Sequence, residues 1–325
     1  MLEWRPTWQI GRKMTKIWGK EDKYMKLHLL EPHVVEKIWG GRKLSKLKKW
    51  PDKLIGETWE VSTHQDGSAT CKGKNLISIS NESIPYIVKF IDTTDFLSVQ
   101  VHPGDEYAQK NENSKGKTEC WIILDAEPGS GLYLGFEEGV TKEKFSDALK
   151  NKQDLREYLK FRKVKRGDFF YVPAGSVHAI GPGITLAEVQ QASGITYRVW
   201  DWNRIDDQGN SRDLHIQQAL DVLEFDKEAN TDSFFKLSSN VLDHAKFIIG
   251  HEDFKLEVID VSENPFTVNL SDKNHTCVVA LDTALTLTNK NESLLLPPYS
   301  CAYIEKDDSL AVSSIAKTNG LLVYC

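Results

Sequence analysis

The sequence predicts an all-β protein with a β-barrel, one small helical insertion and a second antiparallel sandwich or barrel. Residues 96–102 alternate between apolar and polar side chains, and residues 168–180 form a strand, a tight turn and a second strand. Short strand-like runs then follow one another closely from residue 237 to the end. A chain of 325 residues is long enough for two domains with buried cores.

The N-terminal third contains one irregular segment and several short strands. Residues 1–25 mix tryptophans with basic residues without a strand or helix period, and we expect an extension of unknown role. Strand-like runs broken by turns follow, including residues 56–62 and 85–92. Because the second run ends shortly before residue 96, we expect it to lie beside the strand that begins there.

The stretch around residue 100 has the features of half a metal site. Gln100 and His102 lie two residues apart on the polar face of a strand, so their side chains point into the same space. Pro103 then ends the strand. An amide oxygen and an imidazole just before a turn are typical of metal ligands on a β-barrel.

Two later strands supply further candidate ligands. Glu119 lies near the start of the predicted strand 117–124, and His178 lies just past the turn within residues 168–180. Together with Gln100 and His102 they offer mixed nitrogen and oxygen donors, which suit zinc or another first-row divalent ion. The donors come from three separated strands, so the fold must bring these strands together around one cavity.

A helical insertion is predicted near residues 141–160. Thr141 caps a first helix, and Asn151 or Asp154 begins a second. Charged residues fill the other positions, so we expect an amphipathic pair outside the barrel or over its mouth. A further helix is predicted over residues 213–223.

The C-terminal third is predicted to form a second antiparallel sandwich or barrel. Its strands are expected at residues 255–261, 276–281, 285–288, 293–296, 301–304 and 321–325. Its histidines, His244, His251 and His275, show no pair at two-residue spacing, so we expect a metal-free domain. The predicted domains are thus residues 26–236, which carry the site, and residues 237–325.

Composition excludes several functional classes. A net charge of −6 provides no basic excess for nucleic acid. The five cysteines are scattered without a close pair, which favours a reducing compartment over a disulfide scaffold. There is no apolar run of membrane-spanning length and no apolar core of a signal peptide, so we expect a cytoplasmic protein without a membrane partner.

Several ordered motifs resemble the type I mannose-6-phosphate isomerases, in their short bacterial form. The motifs are VQVHPGDEYA at 99–108, GKTECW at 116–121, VPAGSVHAI at 172–180 and AEVQQASGITYRVWDW at 187–202, with EKIWGG at 36–41 and GETWE at 56–60. The resemblance implies two cupin-type jelly-roll barrels, zinc, and interconversion of mannose 6-phosphate and fructose 6-phosphate. It also implies a small sugar phosphate as the partner and a monomer or homodimer.

The resemblance also implies roles for individual residues. Gln100, His102, Glu119 and His178 hold zinc; Arg198, Glu188 and Lys117 are catalytic; and Trp39, Glu57 and Arg198 bind substrate, with Arg198 the first choice for the phosphate.

Aldose–ketose isomerisation passes through an enediol, whose developing negative charge needs a cation close to the oxygen. A base must also remove the carbon-bound proton, and two candidates remain open: Glu188, or Lys117 if burial makes its amine neutral. Glu188 and Arg198 are expected on neighbouring strands facing the interior, where the alternative for Glu188 is a structural ion pair with Arg198.

Two other functions fit parts of the pattern. An iron-dependent oxygenase on the same barrel would favour several imidazoles and an apolar pocket. The candidate ligands Gln100, His102, Glu119 and His178 are instead a polar set, and Arg198 adds a charge to the predicted pocket. A non-catalytic sugar- or sugar-phosphate-binding protein would keep the barrel but lose a ligand, Arg198 or Glu188. All of these residues are present, but a relative with an intact site can still lack turnover, so the non-catalytic binding protein stays the alternative function.

Overall fold

The computed structural model describes residues 26–205, 209–243 and 247–325. The predicted extension 1–25 and His244 lie outside these ranges.

The strands of the N-terminal part are β1 Leu27–Leu29, β2 His33–Val35, β3 Glu57–Val61, β4 Thr63–His64, β5 Gly67–Ser68, β6 Thr70–Cys71, β7 Lys74–Asn75, β8 Tyr86–Asp92 and β9 Val99–Val101. The central strands are β10 Glu119–Ala126, β11 Gly131–Phe136, β12 Leu159–Lys163, β13 Phe169–Val172, β14 His178–Ile180, β15 Ile184–Gln191 and β16 Tyr197–Trp200. The C-terminal strands are β17 Ile248–Gly250, β18 Lys255–Val261, β19 Phe266–Asn269, β20 Thr276–Ala280, β21 Leu285–Thr288, β22 Ser293–Leu296, β23 Ser300–Ile304, β24 Ser309–Ser313 and β25 Thr318–Tyr324.

The first barrel consists of two facing antiparallel sheets. One has six strands in the order β13-β10-β15-β8-β3-β2, and the other has five in the order β12-β11-β14-β9-β16. Apolar side chains from both sheets, among them Ile91, Trp121, Leu134 and Ile180, form one buried cluster between them. This cluster closes one part of the interior, and the pocket described below occupies another.

The second barrel has a six-stranded sheet, β1-β23-β20-β25-β18-β17, and a four-stranded sheet, β19-β24-β21-β22. Its first strand comes from the N-terminal side of the chain, since Leu27–Leu29 pairs with Ala302–Ile304 of β23. Three strands missed by the sequence analysis, β17, β19 and β24, complete these sheets. The division at residue 236 remains a prediction, and the pairing of β1 places residues 27–29 in the sheet of the second barrel.

The six-stranded sheets of the two barrels pack against each other. Val88 and Ile122 from the first barrel share a buried cluster with Val279 and Leu321 from the second. Tyr86 donates its hydroxyl proton across this interface to main-chain carbonyls of the second barrel. The outer faces of the two sheets therefore bury each other.

The helices are short. They are α1 Lys43–Leu47, α2 Ile77–Ser80, α3 Asp105–Glu112, α4 Lys142–Lys150 and α5 Ile216–Val222, with 3₁₀ turns at Leu155–Tyr158, Glu228–Asn230 and Val241–Asp243. Thr141 caps α4 as predicted, by accepting a hydrogen bond from Lys144 N. Instead of the predicted second helix there is a single 3₁₀ turn capped by Asp154, because Leu159 already pairs in β12. None of the described helices is long and apolar enough to cross a membrane.

One predicted neighbourhood is wrong. Residues 85–92 and 96–102 do not lie side by side, because β8 belongs to the six-stranded sheet and β9 to the five-stranded sheet. The residues between these strands pass from one sheet to the other, anchored by Thr93 N to Ile184 O and by Leu97 N to Ile180 O. A hairpin and a crossover between facing sheets have similar local sequences, so the pattern alone does not distinguish them.

Candidate active site

A pocket of about 380 Å³ opens between the two sheets of the first barrel. Both sheets contribute charged side chains to it, and it is also lined by Trp39, whose ring is buried. The lining includes Lys37, Glu57, Lys89, Gln100, Lys117, Glu119, Glu188, Arg198 and Arg212. A pocket with this many converging charged groups is a candidate active site.

The six-stranded sheet presents one row of polar and aromatic side chains to the pocket. Across four adjacent strands, Trp121 lies opposite Glu188, Glu188 opposite Lys89, and Lys89 opposite Trp59. Residues directly opposite one another project from the same face of a sheet. The row therefore faces the five-stranded sheet.

The five-stranded sheet presents a second row. Gln100 of β9 lies opposite His178 of β14 on one side and opposite Arg198 of β16 on the other. Glu188 and Arg198 are thus on facing sheets, and the prediction that they lie on neighbouring strands is wrong. The partner of Glu188 is Lys89, since Lys89 Nζ lies 3.3 Å from Glu188 Oε1.

The four predicted metal ligands meet at one place. His102, Glu119 and His178 each bring one donor atom within 4.8 Å of the others, and all three side chains are buried. His102 Nε2 lies 3.6 Å from Glu119 Oε2, and His178 Nε2 lies 3.5 Å from Glu119 Oε1. The amide nitrogen of Gln100 lies 3.1 Å from His178 Nε2. A half-turn of this amide would present its oxygen at the same position.

The chemistry of these donors fits a divalent metal ion. A tetrahedral zinc with bonds of about 2.0–2.1 Å separates its ligand atoms by about 3.3 Å. His102 Nδ1 donates to Ile195 O at 2.8 Å and His178 Nδ1 to Ser176 O at 3.0 Å, which leaves both Nε2 lone pairs facing Glu119. Burial lowers the pKa of His178 to about 3, so its imidazole is neutral and able to bind a metal.

Lys117 is the cation nearest to this cluster. Its Nζ lies 3.0 Å from His102 Nε2 and 2.9 Å from Glu119 Oε2. Burial raises the pKa of Glu119 and outweighs the opposing effect of the Lys117 charge. Lys117 thus balances the negative charge of the Glu119 carboxylate only in part, and a bound cation would stabilise this carboxylate further.

Sequence analysis missed Lys89. It is buried, and its ammonium lies 3.3 Å from Glu188, 3.6 Å from Glu57 and 4.7 Å from the centre of the Trp59 ring. Burial alone would lower the pKa of Lys89, but Glu188 and Glu57 raise it above its ordinary value, so it is charged. The signal in the sequence was a single lysine within the apolar run of β8. All seven residues of β8 are buried, and a buried charge requires partners.

Two arginines line the pocket. Arg198 donates to the main-chain oxygen of Asp213 at 2.8 Å, and its Nε is buried without a hydrogen-bond partner among the described residues. Arg212, also missed from the sequence, is held by the buried Asp201 through two hydrogen bonds. Burial and the positive charge of Arg212 both lower the pKa of Arg198. Two mutually repelling guanidinium groups at one pocket wall favour an anion between them.

Comparisons with known proteins agree with these features. No protein-family model matches the chain. Over 219 residues it is 40% identical to the mannose-6-phosphate isomerase of Streptococcus mutans serotype c, covering 62% of this chain and 69% of that protein. The chain belongs to the mannose-6-phosphate isomerase family.

Solved structures of other mannose-6-phosphate isomerases share the fold. The crystal structure of the enzyme from Bacillus subtilis matches with a TM-score of 0.78 and 26% identity, covering 93% of this chain and 100% of that one. A structure described as the holo, zinc-bound mannose 6-phosphate isomerase has the same fold, with a TM-score of 0.70, 14% identity, and coverage of 92% and 99%. The predicted all-β class with two cupin-type barrels and a small helical insertion is confirmed.

Proposed function

We propose that this member of the mannose-6-phosphate isomerase family interconverts mannose 6-phosphate and fructose 6-phosphate through an enediol, with zinc as its metal. The observation that carries the proposal is the convergence of His102, Glu119 and His178 beside the pocket that contains Glu188 and Arg198. The zinc-bound state of a relative with the same fold supports the choice of metal.

In this proposal, Gln100, His102, Glu119 and His178 hold the zinc. When bound, zinc would supply a Lewis acid that stabilises negative charge on the substrate oxygens. The hydrogen bonds from the two Nδ1 atoms to main-chain carbonyls keep both imidazoles in the orientation that binding requires.

Glu188 is the base that the geometry favours. Its Oε2 accepts a hydrogen bond from Trp121 Nε1 at 3.0 Å, and its Oε1 lies 3.3 Å from Lys89 Nζ. The residue is part of the pocket lining. Lys117 is the weaker candidate, because its ammonium forms an ion pair with Glu119, with Nζ 2.9 Å from Oε2. We propose that Glu188 takes the carbon-bound proton and that Lys117 and Lys89 offset the charge that develops.

The phosphate is proposed to bind to Arg198 and Arg212. These residues provide two guanidinium groups in the pocket, and Asp201 fixes the second one in place. Trp39 and Glu57, which also line the pocket, would contact the sugar. A cytoplasmic location, a monomeric or homodimeric state and the domain division at residue 236 remain predictions of this proposal.

The deciding experiment is a coupled assay for fructose 6-phosphate formed from mannose 6-phosphate. The protein is stripped of metal with a chelator and then given zinc. We expect zinc to restore turnover in the parent, and His102→Ala to lower kcat/KM by more than the roughly 10–100-fold that follows loss of an outer-shell partner. His275→Ala is the control, because His275 lies in the second barrel with Nε2 3.2 Å from Glu82.

Other results would change the assignment. Binding of mannose 6-phosphate without turnover, at full zinc loading, would make the protein a sugar-phosphate-binding member of the family. Neither binding nor turnover would mean that the substrate is wrong. A loss of activity in His275→Ala equal to that in His102→Ala would remove the metal site from the first barrel.

A further inference from the structure

Gln191 connects the backbone of the active site to the second barrel. It is the last residue of β15, and its side chain is 1% exposed. Its Oε1 accepts a hydrogen bond from Thr118 N at 2.8 Å, and Thr118 lies between Lys117 and Glu119. Its Nε2 donates to Asp253 Oδ2 at 2.8 Å, and Asp253 belongs to the second barrel, between β17 and β18.

The segment 116–118 is held against the residues that follow His102. Gly116 N donates to Asp105 Oδ1 at 2.8 Å, and Lys117 N donates to Pro103 O at 3.0 Å. A Cβ on Gly116 would lie 2.6 Å from Asp105 N, so only glycine allows this approach. The position of Lys117 and Glu119 relative to His102 therefore depends on these main-chain contacts.

The two carboxylates determine which way the Gln191 amide points. Nε2 lies 3.2 Å from both oxygens of Asp105 and 2.8 Å from Asp253 Oδ2, and an ionised carboxylate only accepts hydrogen bonds. A reversed amide would set its oxygen against two negative groups and its NH₂ against Thr118 N. Asp253 thus orients the amide so that its oxygen meets the active-site backbone.

We propose that Gln191, oriented by Asp253 from the second barrel and by Asp105, is a positioning residue for the isomerase. It sets Lys117 and Glu119 at the spacing from His102 that metal binding and catalysis require. This inference rests on the proposed function, and it assigns the second barrel a part in aligning a site that lies wholly in the first.

The test compares Asp253→Ala with Lys115→Met. Lys115 forms an ion pair with Asp253 Oδ1, whereas Gln191 donates to Asp253 Oδ2, so the Lys115 variant removes the ion pair and keeps the hydrogen bond from Gln191. We expect Asp253→Ala to weaken zinc binding, measured by competition with a chromophoric chelator, by about tenfold. At saturating zinc its kcat should fall by about tenfold with KM unchanged, since Arg198 and Arg212, which are proposed to bind the phosphate, are not altered. Lys115→Met should match the parent in all three quantities.

Two further variants keep the proposal open to refutation. Asp253→Asn retains an oxygen that accepts from Gln191, so it should preserve most of the zinc affinity and kcat. Gln191→Glu keeps the size of the side chain and the oxygen that faces Thr118, but it sets a second oxygen against Asp105 and Asp253. It should therefore lower zinc affinity and kcat as Asp253→Ala does, and it provides this test even if Asp253→Ala fails to fold.

The inference would be overturned if Asp253→Ala lowered only the thermal midpoint, with zinc affinity and kcat equal to the parent. It would also be overturned if Lys115→Met reproduced the full loss. A parent that binds zinc but does not turn over mannose 6-phosphate would contradict the proposed function, while the zinc affinities of the variants would still test the role of Gln191.

Discussion

Between the sheets of the first barrel lie two buried histidines and a chain of buried charges, whereas leucine, isoleucine and valine side chains fill the space between the sheets of the second. In the first, His102, Glu119, Glu188 and Lys89 are almost completely enclosed. In the second, the cluster between the sheets includes Val261, Leu285, Leu287 and Leu310, and Asp253 is the single buried charged residue within the described residues 247–325.

This difference separates two uses of one architecture. Burying charges is costly unless each is paired, so the first barrel gives up part of its apolar interior to hold a reactive site. The second barrel retains an apolar interior and contributes its stability through the shared interface with Val88 and Ile122. We therefore expect substitutions between the sheets of the first barrel to affect turnover, and substitutions between the sheets of the second barrel to affect folding stability.

The largest effect is expected at Glu188. Glu188→Gln keeps the size of the side chain but removes the proton acceptor, so kcat should fall by about 10²–10⁴-fold, as is typical for loss of a general base. The measurement is steady-state kinetics with mannose 6-phosphate at saturating zinc. Glu257→Gln in the second barrel is the control, since Glu257 accepts a hydrogen bond only from Tyr324 among the contacts described. Unchanged kcat in Glu188→Gln would return the role of base to Lys117.

The second effect concerns stability. Leu287 is completely buried in the second interior, and Leu287→Ala should lower the free energy of unfolding by about 2–5 kcal/mol. The kcat of the folded protein should stay within about twofold of the parent, because the site lies in the other barrel. Urea unfolding and steady-state kinetics on the same sample measure both quantities, with the exposed Ile315→Ala as control. A large fall in kcat without loss of stability would contradict the division between the barrels.

The smallest effect is expected on the outside of the first barrel. Thr141 accepts a hydrogen bond from Lys144 N at 3.3 Å and begins α4, whose Phe145 and Ala148 pack on the five-stranded sheet. Thr141→Ala should lower the free energy of unfolding by about 1 kcal/mol, whereas Thr141→Ser should keep the free energy of unfolding of the parent. Urea unfolding measures the difference. A change in kcat with Thr141→Ala would mean that α4 influences the pocket, and would contradict the expectation that turnover depends on the residues between the sheets of the first barrel.

The local pattern of the sequence determined several of the strands, the start of α4 and part of the candidate site. Strands β18, β21 and β22 have the predicted bounds, because alternating apolar side chains and turn residues act over a few positions. Gln100, His102, Glu119 and His178 were chosen by residue type, spacing and family resemblance, and the structure brings their side chains together. Their role as ligands stays a prediction until metal binding is measured.

Only the tertiary structure decided which sheet each strand joins and which charges meet. β8 and β9 separate into facing sheets, β1 pairs with a strand more than 270 residues later, and Lys89 meets Glu188 across β8 and β15. The contact of Gln191 with Asp253 likewise depends on how the two barrels pack. Strand pairing is set by chain closure and by packing between distant segments, and one short window does not show which distant strand it will pair with.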